Sequence, residues 1–138
     1  LGRRRVNSVL LDTHTWAWTL NRNPRLSTKS ASIIEQADVV FVSPVSFFEI
    51  GQKVHLGKWP EMEPFLDRLI NLLDEVGAQV AALTPEISLA AAMMDWEHRD
   101  PFDRMLAATA IHHDLPLVSA DTTFDALANY KGWVARIW

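Results

Sequence analysis

The sequence predicts an α/β protein built on a parallel sheet with helices on both faces. Three observations carry that expectation. Short apolar or β-branched runs, such as Val39 to Val42, alternate with longer helical stretches along the chain. Helix starts are marked by cap-plus-proline pairs at Ser43-Pro44, Thr84-Pro85 and Asp100-Pro101. No internal repeat, low-complexity segment or linker interrupts the pattern, so residues 1–138 are expected to form one domain.

Taken in order, Val9-Leu10-Leu11 is a short apolar strand that ends at Asp12. Thr13 to Leu20 reads as a helix closed by the turn signal Asn21-Arg22-Asn23-Pro24. Ser27 caps a second helix running to about Gln36, and Val39 to Val42 is a buried strand. The helix opened by Ser43-Pro44 carries Phe47, Phe48, Glu49 and Ile50 and ends near Gly57. A further helix is expected from about Met62 to Glu75, stopped by Gly77, with an apolar stripe suited to a packed or partner surface. Gln79 to Leu83 reads as a strand, and Thr84-Pro85 opens a helix through Met94. Asp100-Pro101 opens a helix that is apolar almost all round from Phe102 to Ile111, with Ala107, Ala108 and Ala110 leaving little bulk. Leu115 to Val118 is a buried strand that delivers Ser119-Ala120-Asp121 at its end. Thr122 to Tyr130 reads as helical, and Trp133 to Trp138 as a terminal strand.

Composition narrows the function classes. With 49% hydrophobic and 22% charged residues, the 138-residue chain has an ordinary globular balance and can bury a core. A formal net charge of -4 argues against a protein that coats nucleic acid by bulk electrostatics. An enzyme with an acidic metal site remains compatible with it. The absence of cysteine excludes disulfides and thiolate metal sites and suits a cytoplasmic location. No apolar run reaches the length of a membrane span. The basic stretch around Arg3-Arg4-Arg5 is expected to be a flexible tail over residues 1–7.

The chemistry rests on four acids. Asp12 and Asp121 end strands, whereas Glu49 and Asp103 lie early in helices. Each has an ordinary structural role available: helix cap for Asp12 and Asp121, an i,i+4 pair with Lys53 for Glu49, and a helix-dipole partner for Asp103. Their common placement is more telling, because a parallel sheet brings all four toward one edge, where open α/β sheets bind ligands. At an effective dielectric of about 20, two carboxylates ~5 Å apart repel by roughly 3 kcal/mol before screening. Such a cluster calls for protonation or a cation. Oxygen ligands without His or Cys select Mg²⁺ or Mn²⁺, and the chemistry that follows is metal-assisted phosphodiester hydrolysis.

The stretches LLDTHTW, SPVSFFEIGQKV and HRDPFDRMLAATAIHHDLPLVSAD resemble the PIN-domain family, specifically VapC-type toxins of toxin–antitoxin pairs. The resemblance spans nearly the whole chain. It implies a three-layer α/β/α sandwich on a parallel, mostly five-stranded sheet and a Mg²⁺- or Mn²⁺-dependent endoribonuclease. It places the family's acids on Asp12, Glu49, Asp103 and Asp121, as catalytic and metal-binding residues. It also implies RNA as substrate, a cognate antitoxin that blocks the site, and a homodimer. Asp100 matches the RDPFDR form of some relatives and is read as a cap or supporting group. Where the family often carries Arg, this chain has Ala120.

Thr13, Ser46 and Ser119 are candidates for orienting the carboxylates, with local capping the alternative for each. Arg99 and Arg104 flank the third acid and are candidates for phosphate contact, with solvated surface charge the alternative. Trp16, Trp18, Trp59 and Trp96 have apolar neighbours and are expected to pack in the core or at a partner interface. His112-His113-Asp114 suggests an HD phosphohydrolase, but the pair ends a helix that runs into a strand, and a helix C-terminus accounts for it. A dehalogenase-type phosphatase would need an acid where His14 stands. The non-enzyme alternative is a catalytically silent PIN-like protein- or RNA-binding module. Retention of all four acids weighs against it.

Overall fold

The computed structural model describes residues 7–138. The elements are β1 (Ser8–Leu11), α1 (Thr13–Leu20), α2 (Thr28–Gln36), β2 (Val39–Val42), α3 (Pro44–His55), α4 (Leu69–Glu75), β3 (Ala78–Val80), α5 (Pro85–Met93), α6 (Pro101–His112), β4 (Leu117–Val118) and β5 (Arg136–Ile137). Two 3-10 helices, Pro60–Arg68 and Thr122–Leu127, complete the order. The expected basic tail lies outside the described residues apart from Asn7. That residue is tied down, since its N–H donates to the Asp38 carboxylate at 2.9 Å and its carbonyl accepts from Asp38 N at 2.8 Å.

The five strands form one sheet in the order β3-β2-β1-β4-β5, and every pairing is parallel. From β1 the chain steps outward through β2 to β3, then returns to the other side of β1 for β4 and β5. Right-handed crossovers therefore place the two groups of helices on opposite faces. Side chains alternate accordingly. Val9, Leu11, Val42 and Val118 pack with Trp16 and Ala17 of α1, Ile50 of α3, and Leu69 and Leu73 of α4. Leu10 and Leu117 point the other way, into Ile87 and Ala91 of α5 and Ala107, Ala108 and Ala110 of α6. The small residues of α6 leave room for α5 and the sheet to close over it. This is the three-layer sandwich expected from the resemblance.

Several boundaries differ from expectation, each for a local reason. The helix expected from Met62 to Glu75 is two elements, because Pro64 lies inside the segment and supplies no N–H to an α-helical ladder. The tighter 3-10 form takes Pro60–Arg68, and the α-helix begins only at Leu69. Of its apolar stripe, Leu69, Leu72 and Leu73 are buried while Ile70 faces outward. Thr122 to Tyr130 is likewise 3-10 in form and ends at Leu127. Residue Leu115 still closes α6, its N–H donating to Ala110 O at 2.9 Å after Asp114 turns through a left-handed φ of 57°, so β4 begins later than expected. The outer strands β3 and β5 are also shorter than the expected Gln79 to Leu83 and Trp133 to Trp138. Among the described residues no helix is long and apolar enough to cross a membrane.

Leu10 sits at the centre of the sheet with no exposed surface. Leu10→Ala is expected to lower stability by about 2–5 kcal/mol through lost burial and a residual cavity. A chemical-denaturation midpoint equal to that of the wild type would contradict this packing.

Candidate active site

The strand order reverses at β1, so the C-terminal ends of β1 and β4 lie side by side at a topological switch point. Asp12 follows β1 directly and caps α1, its Oδ1 accepting from Thr15 N at 2.8 Å. Its Oδ2 accepts from the Ser119 hydroxyl at 2.5 Å, across the seam between the two strands. The same hydroxyl oxygen accepts from Asp121 N at 3.0 Å. Ser119 thereby couples the acid after β1 to the acid after β4. Asp121 in turn caps the following 3-10 helix by accepting from Thr123 N at 2.9 Å.

Glu49 reaches the same edge from α3. The hydroxyls of Thr13 and Ser46 are 2.9 Å apart in a buried bond that pins the start of α3 to α1. One turn later Glu49 is only 6% exposed, and its Oε2 accepts from Lys53 Nζ at 2.6 Å. The i,i+4 pair expected from the sequence is present, but its acid is buried. Asp103 comes from the first turn of α6, which Asp100 caps by accepting from Asp103 N at 3.1 Å. Asp103 Oδ2 lies 2.7 Å from His98 Nε2.

Asp12, Glu49, Asp100, Asp103 and Asp121 all line one cleft of about 350 Å³, together with Thr13, His14, Lys53 and Ala120. Asp100 is thus both a cap and part of the cleft wall. Among the described residues no three acids or histidines converge closely enough to form a ligand set as they stand. Each acid is drawn toward its own hydrogen-bond partner.

The electrostatics separate the acids. Burial raises the pKa of Asp12 against the bonds from Ser119 and Thr15, which favour its charge. Burial likewise pushes Asp103 up to about 6, opposed by His98 and reinforced by the charges of Asp100 and Asp121. Partial burial also opposes ionisation of Asp121, but the bonds from Thr123 and the charges of His98 and His14 outweigh it, and its pKa falls. Buried acids with raised pKa values, facing further acids, form a site whose negative charge lacks full compensation from the protein.

Two of the sequence candidates have other places. Arg104 is not turned toward a phosphate position. Its guanidinium is spent on carbonyl oxygens, donating to Ala91 at 2.8 Å, Trp96 at 2.8 Å, His98 at 2.9 Å and Met94 at 2.6 Å. It clamps the connection between α5 and α6 and so sets His98 beside Asp103. Arg99 is exposed on that connection and lies outside the cleft lining. His14 and Lys53 also line the cleft and His98 bonds Asp103, places that the sequence does not predict for them. Their signal was proximity in the chain: His14 follows Asp12-Thr13, Lys53 is one helical turn from Glu49, and His98 precedes the Asp100 cap.

The PIN domain family model matches residues 9–130. The ribonuclease VapC22 of Mycobacterium tuberculosis is 32% identical over 117 residues, covering 84% of this chain and 88% of the relative. The chain belongs to the PIN-domain family. Among solved structures it is similar to VapBC2 from Rickettsia felis bound to a DNA fragment from its promoter, with TM-score 0.67, 13% identity, and 95% and 98% of the two chains covered. It is also similar to FitAcB from Neisseria gonorrhoeae, with TM-score 0.56, 21% identity, and 94% and 96% covered. At these identities the two structures support the fold alone.

The raised pKa of Asp103 sets a stability test. Between its ordinary value of 3.8 and about 6, the folded chain binds more protons at this position than the unfolded chain. Stability from this group is therefore present at low pH and is lost as pH rises through that window. In a metal-chelating buffer, Asp103→Asn is expected to exceed the wild type at pH 7 by about 1–2 kcal/mol, allowing for screening at a partly exposed side chain. The difference should fade below about pH 4. Denaturation curves at both pH values check this, and a less stable variant at pH 7 would contradict it.

Proposed function

We infer that this chain is a VapC-type endoribonuclease that hydrolyses RNA phosphodiester bonds and acts as the toxin of a toxin–antitoxin pair. The observation that carries the inference is that Asp12, Glu49, Asp103 and Asp121 all line one cleft at the switch point of the sheet. Similarity to a protein named a ribonuclease supports the substrate class.

These four acids are the residues that would hold Mg²⁺ or Mn²⁺. The fit rests on the donor set, which is hard oxygen, and on buried carboxylates whose charge is disfavoured by burial and by one another. When bound, the ion supplies Lewis acidity to the phosphodiester and activation of the attacking water. The protein's own contribution is placement. Ser119 and the Thr15 N–H hold both oxygens of Asp12, so that carboxylate is oriented before any ligand arrives. Glu49 and Asp103 each rest on a basic side chain, Lys53 and His98, that a cation can replace. Proximity to a cation would lower the pKa of Asp103 and keep it ionised at neutral pH. Asp121 already favours its charged form.

The VapC-type reading includes a cognate antitoxin as partner, and similarity to VapBC2, solved on a DNA fragment from its promoter, agrees with it. In this reading the antitoxin blocks the acidic cleft. Homodimer formation is proposed through α3 and α5, where Phe48, Leu89 and Met93 are 60%, 67% and 76% exposed.

The test is cleavage of single-stranded RNA by the purified chain with Mn²⁺. Asp12→Asn and Asp103→Asn are each expected to slow cleavage by about 100-fold or more, a loss of at least ~2.7 kcal/mol of transition-state stabilisation. Chelation of the metal should abolish it. Undiminished cleavage in both variants would remove these acids from the mechanism, and no cleavage by the wild type would favour the binding-module alternative.

A further inference from the structure

A second and larger cleft, of about 670 Å³, opens beside the acidic one. The two share His14, Trp18 and Lys53 as wall residues, so they are compartments of one continuous depression. The larger volume falls within the range of about 300–1,000 Å³ typical of ligand clefts. Its chemistry is the reverse of its neighbour's. Arg25, Lys53 and Lys58 line it, with Glu61 as the sole carboxylate among the lining residues, in a chain whose formal net charge is -4. Arg25 and Lys58 are exposed.

The wall between the compartments is aromatic. The His14 ring stacks on Trp59 with centroids 4.7 Å apart and an interplanar angle of 29°. His14 also meets Trp18 edge-on at 5.8 Å. Lys53 Nζ is 5.6 Å from the Trp59 ring centroid while bonding Glu49, so one side chain spans both compartments. Trp16, Trp59 and Trp96 pack with the apolar core as expected from the sequence, and the half-buried Trp59 also lines the cleft together with the half-buried Trp18.

We propose that the groove formed by His14, Trp18, Trp59, Arg25, Lys53 and Lys58 is a binding track for single-stranded RNA, leading the strand into the acidic cleft. This rests on the ribonuclease reading given above. Cations positioned beside aromatic rings that line a groove are the combination that binds single strands, phosphates on the first and bases stacked on the second. The track answers an electrostatic difficulty in that reading. A cleft of four or five acids repels a polyanion, and a basic, aromatic platform at its mouth compensates that repulsion locally where the whole molecule's charge does not. Recognition by stacking tolerates many bases, so the track sets affinity more than sequence preference.

The experiment separates binding from cleavage. Affinity for a fluorescein-labelled single-stranded RNA of mixed sequence is measured in a metal-chelating buffer, where the strand stays intact, for the wild type, Trp59→Ala, Trp59→Phe and Lys58→Ala. Trp59→Ala is expected to weaken binding roughly tenfold, and Trp59→Phe, which keeps a stacking face, to restore most of it. Lys58→Ala should reduce the slope of log affinity against log salt by about 0.7, the value for one phosphate on a single strand. With Mn²⁺ present, both losses should enter KM and leave kcat nearly unchanged. Lys58 is exposed, so its variant keeps the test valid if Trp59→Ala fails to fold. Wild-type cleavage combined with unchanged RNA affinity and KM in Trp59→Ala and Lys58→Ala would overturn the track and leave the ribonuclease reading standing. Failure of the wild type to bind RNA while it binds a polyglutamate peptide would assign the groove to an acidic protein segment and overturn the proposal. Failure of the wild type to cleave RNA at all would remove the reading on which it rests.

Discussion

The parallel pairing of β1 with β4 is the constraint on which the site depends. Leu11 stands opposite Val118, and each strand then releases the chain at the same level of the sheet. Asp12 and Ser119 are the first residues past that level, and their side chains bond across the seam. Because Ser119 also receives the Asp121 N–H, a single hydroxyl relates two acids that are 109 positions apart in sequence by their numbers. The buried bond from Thr15 Oγ1 to Val118 O at 2.9 Å fastens α1 to the same strand end. Slipping this register by one residue would invert which side chains reach the edge, and the core alternation of Leu10 against Val9 and Leu11 forbids it.

The helices then deliver the remaining acids at their N-terminal ends. Caps do this work: Ser43 and Asp100 start α3 and α6 with proline at the first turn, and Glu49 and Asp103 follow at fixed offsets. The arrangement is not one that stability alone would choose. Burial works against the charge of Asp12 and Asp103, and the charges of Asp100 and Asp121 add to the strain on Asp103. Lys53 and His98 moderate that cost without removing it. Function and stability are commonly in tension at polar sites of this kind.

Much of this was legible in the sequence because it is local. The fold class followed from alternating apolar runs and helix caps, and α1, α2 and β2 fall where Thr13 to Leu20, Ser27 with its helix, and Val39 to Val42 placed them. The four acids could be assembled because strand ends and helix starts share an edge in any parallel sheet. What was not legible depends on topology or on a single overlooked residue. Pro64 converts a regular-looking apolar stripe into a 3-10 segment. Arg104 looked like a free cation beside an acid, yet the path between α5 and α6 surrounds it with carbonyl oxygens. The bond between Ser119 and Asp12, and that between Thr13 and Ser46, join segments remote in sequence and emerge only once strand order is known. Trp18 shares the neighbour Ala17 with Trp16, yet Trp16 is buried and Trp18 ends at a cleft wall, a difference that neighbouring residues do not encode.

The acids at the β1–β4 edge are proposed to act as one cation-binding unit. Its most direct measurement is the melting temperature of the metal-stripped chain at pH 7, followed as Mn²⁺ is titrated to millimolar concentration. Binding to the folded state alone stabilises it by about 2.7 kcal/mol once the free ion is a hundredfold above its Kd. The melting temperature is expected to climb with Mn²⁺ in the wild type and to climb much less in Asp121→Asn. A wild-type melting temperature that does not move across the titration would contradict it.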